Sequence, residues 1–135
     1  MADYSNLPDG IYYDEWRKCF IEFLVDYQTL NKDNRTYAFE QLFEISNREA
    51  YQKLDKDVLD ALSDFVICNI DCEDYEIMDL VTSIVGMLGL KDVWDYIKSK
   101  KKYINNAKVV KLIEECDEEF GEHVEDPFWD YRNLN

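Results

Sequence analysis

Apolar residues recur three and four positions apart along nearly the whole chain, and only four glycines and two prolines in 135 residues interrupt them. That spacing lines side chains along one face of an α-helix, whereas a half-buried strand needs alternation with a period of two. No segment sustains such alternation with β-branched residues, so the fold class is expected to be all-α. The chain is 47% hydrophobic and 15% aromatic, too rich for a disordered acidic tail and long enough for one core. The expectation is a single helical domain over residues 1–135, with 1–10 and 127–135 as terminal segments.

Breaks in the pattern divide it into about seven helices. A first runs from Tyr13 to Leu30 on Trp16, Phe20, Phe23, Leu24 and Tyr27, ended by the turn formers Asn31 to Asn34. Thr36 to Ile45 offers Phe39, Leu42 and Phe43, and Arg48 to Leu54 is a short third candidate. Asp55 is placed to cap a fourth, with Val58, Ala61, Leu62 and Phe65 inward and Asp57, Asp60 and Asp64 outward. Asp71 or Cys72 opens a fifth, with Ile77, Val81, Ile84, Val85 and Leu88 inward, and Gly89 reads as its left-handed cap. Asp92 to Lys98 carries Trp94 and Ile97. Asn106 to Phe120 carries Val109, Leu112, Ile113 and Cys116 and stops at Gly121. The aromatic tail Phe128-Trp129-Asp130-Tyr131 is expected to fold back on the body.

A degenerate repeat favours stacking. Leu42-Phe43, Tyr51 and Leu54 recur as Ile84-Val85, Trp94 and Ile97 about 40 residues on, in the range of HEAT and armadillo arrays. Val58-Leu59, Leu62 and Phe65 match Val109-Val110, Ile113 and Cys116, which equates the fourth helix with the seventh. A small irregular array of that kind is expected; alternatively, the helices form an ordinary bundle.

Thirty acidic residues stand against 15 Lys and Arg, a formal charge of -15. From Asp55 to Glu76 the only cation is Lys56, and from Glu114 to Asp126 there is neither Lys nor Arg. Such density opposes compaction by self-repulsion and sets up a field that attracts cations. It excludes direct contact with a nucleic-acid backbone or an anionic membrane, both of which select Lys and Arg. The one basic cluster, Lys98, Lys100, Lys101, Lys102, Lys108 and Lys111, is expected to bridge to a neighbouring acidic helix or to aid solubility, on a different face from the acids. The longest apolar run, Ile84 to Leu90, is too short to span a bilayer, and Met1 to Gly10 do not resemble a secretory signal. The expected setting is the cytosol.

Catalytic patterns are missing: there is no phosphate-cradling glycine loop, no Gly-x-Ser-x-Gly and no His-Glu-x-x-His. His123 is the single histidine, and Cys19, Cys68, Cys72 and Cys116 are scattered, so neither metal, cofactor nor disulfide is expected. Cys116 and His123 are the only nearby thiol and base, with Gly121 breaking the register between them. Cys68 and Cys72 share a face only if one helix runs through both.

What remains is a non-catalytic binding protein. The first candidate surface for a basic protein partner is Asp57, Asp60, Asp64, Asp71, Asp74 and Asp79 with Tyr75 as an aromatic anchor; the second is Glu118, Glu119, Glu122, Glu125 and Asp126 with Trp129. Because the fourth helix was equated with the seventh, the two faces are expected along one side of the array. In general character, and in Gly89-Leu90-Lys91-Asp92-Val93-Trp94 followed by Glu118-Glu119-Phe120-Gly121 and Val124-Glu125-Asp126-Pro127-Phe128, the chain resembles the helical-array immunity proteins of bacterial toxin systems, among them contact-dependent growth inhibition and other polymorphic toxins. That resemblance implies a cognate toxin, commonly a nuclease, neutralised by tight binding, and a chain that is monomeric when free. Two further readings are a DNA mimic that blocks a nucleic-acid-binding protein, and a helical adaptor in a larger assembly.

Overall fold

The periodicity resolves into helices in a computed structural model, which describes residues 12–28, 30, 33–48, 53–121 and 123–124. They are α1 (Tyr13–Asp26), α2 (Arg35–Ser46), α3 (Lys56–Asn69), α4 (Tyr75–Leu88), α5 (Lys91–Lys100) and α6 (Ala107–Phe120), with one 3-10 turn at Lys101–Tyr103. No strand occurs among the described residues, and the α-helices there are six rather than seven. Most of the segment expected as a third helix, residues 49–52, lies outside the described residues; Arg48 forms a bend, and Lys53 and Leu54 are not helical. Both terminal segments and the aromatic tail also lie outside.

Consecutive helices alternate between two layers. In one, α1 packs on α3 and α3 on α5; in the other, α2 packs on α4 and α4 on α6, while α1–α2 and α4–α5 contacts join the layers. Helix starts at residues 13, 56 and 91 in the first layer and 35, 75 and 107 in the second give a repeat of roughly 40 residues. The arrangement fits a small helical array or bundle; the sequence repeat matched α2 with α4, which share a layer, but mispaired α3 with α6. The helix equivalent to α3 is α5, and α6 belongs with α4. Apolar stripes of the same period look alike whichever layer they face, so pattern matching alone did not separate the two.

Packing explains who faces inward. Wedged between α1 and α5, α3 buries Val58, Leu62 and Val66, whereas Ala61, expected inside, is exposed. Phe65 is half-buried and meets Phe23 and Phe39 edge-on or tilted, with ring centroids at 5.1 and 5.9 Å. All five residues expected inside α4 are buried, joined by Met78 and Thr82, because α4 has neighbours on three sides. The first pair is pinned by the Trp16 indole, which donates to the Ile45 carbonyl at 2.8 Å.

Local chemistry sets the boundaries. α1 stops at Asp26, with Tyr27 donating its N–H to the Phe23 carbonyl, short of the expected Leu30. Asp74, rather than Asp71 or Cys72, caps α4 by accepting from the Ile77 N–H at 3.1 Å, and Asn106 caps α6 by accepting from Lys108. Gly89 ends α4 at φ 75°, the left-handed conformation that glycine adopts without strain. Asp55 occupies the position before α3 but does not cap it: its carboxylate takes Arg17 Nε at 2.6 Å and the Tyr13 hydroxyl at 3.3 Å, tying α3 to α1.

Candidate binding face

The residues of the first candidate surface fall on two helices and the loop between them. Asp57 and Asp64 are exposed on α3 in the first layer, while Tyr75 and Asp79 are exposed on α4 in the second. Three of its carboxylates already have partners within the chain. Asp60 pairs with Lys56 at 2.7 Å, Asp71 accepts from the Glu73 N–H at 3.0 Å, and Asp74 is the α4 cap. Since α3 and α6 lie in different layers, the equivalence of these two helices no longer supports one acidic side running through both.

The second surface is described only in part. Glu118 and Glu119 are exposed on α6; Glu122, Glu125, Asp126 and Trp129 lie outside the described residues.

The helices α4 and α6, which carry Asp79 from the first set and Glu119 from the second, pack against each other. α4 and α6 run side by side in the same direction. At their starts the Glu73 carboxylate accepts the Asn105 and Asn106 N–H groups at 2.8 to 3.0 Å, and at their ends Gly86 lies against the Phe120 ring, where a Cβ would sit 3.3 Å from it. Between these points the Cys116 thiol of α6 faces Thr82 of α4. Burial pushes that thiol up, the Thr82 hydrogen bond pulls it down, and Glu119, Asp79 and Glu115 raise it further. Asp79 of α4 and Glu115 and Glu119 of α6 are thus exposed on two helices that pack against each other. Tyr75, one turn before Asp79 on the same face of α4, adds an aromatic ring that is 43% exposed.

The charge on α6 runs against its own helix. Lys108 and Lys111 sit in its first half, and Glu114, Glu115, Asp117, Glu118 and Glu119 in its second, with no basic residue in the last turn. A helix C-terminus carries partial negative charge, so carboxylates there cost stability, typically about 0.3–1 kcal/mol each when exposed. Among the described residues, only Glu114 of these has a cation within ion-pair reach, Lys101 at 3.6 Å. Among the described residues the face is therefore acidic and largely without paired cations.

Other chemistry is poorly supplied. Burial raises the Cys19 and Cys72 thiols as it does Cys116, the opposite of what a nucleophile needs. Cys68 is exposed, and α3 ends at Asn69, so Cys68 and Cys72 do not share a helical face. Among the described residues, no three His, Cys, Asp or Glu side chains are grouped to hold a metal ion. No described helix is long and apolar enough to cross a membrane. Sequence reasoning found Asp79 and Glu119 but assigned them to separate faces, and it missed Glu115, whose signal was its position one turn before Glu119.

Comparison with protein-family models, curated proteins and solved structures returns no match to this chain.

Proposed function

We propose that this chain is an acidic, non-catalytic binding protein that neutralises a basic partner, in the manner of an immunity protein inhibiting a cognate nuclease-type toxin inside the cell that makes it. The observation that carries this reading is the acidic end of α6. Carboxylates placed against the helix dipole and left without cations reduce the stability of the free protein, and a cationic partner relieves that cost on docking. Asp79, Glu115 and Glu119 lie on two helices held at both ends, so the face is formed before the partner arrives and little ordering entropy is lost. Tyr75 supplies apolar area that charge alone lacks. Long-range attraction raises the association rate, which matters when a toxin must be caught before it acts.

The experiment is affinity capture from the source cell, followed by mass spectrometry and an activity assay of what is captured. A single basic protein, recovered in stoichiometric amount and inhibited by the chain, is the expected result. Recovery of a multi-subunit assembly, with no member inhibited, would replace this reading with that of a helical adaptor.

A further inference from the structure

Five of the seven described cations outside one patch sit close to a carboxylate: Arg17 with Asp55, Lys18 with Glu22, Arg48 with Glu44, Lys56 with Asp60 and Lys91 with Asp95. In a chain with twice as many acids as bases, that is the expected condition. The lysine cluster at the end of α5 departs from it. Of Lys98, Lys100, Lys101, Lys102, Lys108 and Lys111, only Lys101 has a carboxylate within ion-pair distance among the described residues. Three others rest on aromatic rings instead: Lys98 lies 5.9 Å from the centre of Trp94, Lys100 5.5 Å from Tyr96 and Lys102 5.1 Å from Tyr103. Ring faces hold an ammonium without neutralising it.

Lysines in the last turn of α5 favour its C-terminal dipole, and this accounts for Lys98 and Lys100. It does not account for Lys101 and Lys102, which lie beyond the helix, or for Lys108 and Lys111 near the start of α6, where a cation is unfavourable. Lys98, Ser99, Lys101 and Lys102 line an open cleft of about 600 Å³ whose apolar surface comes from Ile104 and Val110. Asn105, next to the cleft residue Ile104, donates its N–H to the Glu73 carboxylate at 2.8 Å, so one acid of the loop before α4 lies near the cleft.

We propose that this cleft is a docking site for a short acidic protein segment carrying one apolar side chain, with Lys98, Lys101 and Lys102 meeting its carboxylates and Ile104 and Val110 its apolar group. Charge complementarity selects the class of occupant, and the extent of the basic patch selects its length. A nucleic acid, with charge repeated along its strand, would run from the cleft onto the carboxylates of α6, whereas a segment of a few residues stays among the lysines. The site is separate from the acidic face and does not depend on the partner proposed for it.

The test uses the full chain and a fluorescent glutamate-rich peptide with one central leucine, titrated at low and moderate salt. Binding should be salt-sensitive and about tenfold weaker in Lys98→Ser/Lys101→Ser/Lys102→Ser, the sum of three exposed charge pairs. It should also weaken when serine replaces the leucine. A control with the same change in net charge, Lys18→Ser/Lys53→Ser/Lys56→Ser, should leave it unchanged. Absence of binding, equal loss in the control, or tighter binding of a single-stranded oligonucleotide of matched charge would each overturn the assignment.

Discussion

Two carboxylates hold this array together from outside its core, and each makes a distinct prediction. Glu73 accepts from the N–H groups of Asn105 and Asn106, while the Asn106 side-chain amide donates back to the Glu73 carbonyl at 3.0 Å. This locks the start of α6 to the start of α4. Glu73→Ala is expected to lower the unfolding free energy by about 1 kcal/mol in urea titration, the scale of exposed hydrogen bonds to a charged acceptor. Asp55 works at the other end of the molecule, where the Arg17 hydrogen bond holds its carboxyl below the usual carboxylate range. A lowered native value means that this stabilisation is complete above the ordinary carboxylate pKa of about 4 and is lost as pH falls through the lower native value. The melting-temperature gap between wild type and Asp55→Asn should hold steady at neutral pH and close on acidification; a gap independent of pH would remove the pair from the account of α1–α3 packing.

At the level of helices, the clearest stop is Gly89, whose φ of 75° disfavours a Cβ. Gly89→Ala should destabilise by about 1 kcal/mol in chemical denaturation, since a Cβ is strained in the left-handed region. That boundary was legible because left-handed caps select glycine, and the α4 stripe was legible because a helix with several neighbours must be apolar over most of its surface. The extent of α1 was not, because Tyr27 continues the apolar spacing although the backbone has already left the helix. Asp55 was misread for a related reason. An Asp before a helix looks like a cap in sequence, and only the fold shows that Arg17 from another helix has taken its carboxylate. On α6 the acids and the dipole are opposed, so Glu119→Lys should raise the unfolding free energy by about 0.5 kcal/mol.

Across the whole molecule, a charge of -15 acts on stability as well as on recognition. Moderate salt should raise the melting temperature by screening self-repulsion over a Debye length of about 10 Å at 0.1 M. The all-helical fold followed from the apolar stripes, and the match of α2 with α4 from their repeat, but the layer of α6 did not, because its stripe has the same period as that of α3. Asp79 and Glu119 are far apart in sequence and stand on neighbouring helices because α4 and α6 share a layer.

The most direct test of that face compares Glu115→Lys/Glu119→Lys with Asp57→Lys/Asp64→Lys, which makes the same change of charge on the other layer. Association of each with the captured basic partner is timed at low salt, with unfolding measured in parallel. The α6 pair should slow association by about tenfold or more while remaining at least as stable as wild type, and the α3 pair should change it far less. Equal association rates for wild type and the α6 pair would mean that the carboxylates of α4 and α6 are not where the partner docks.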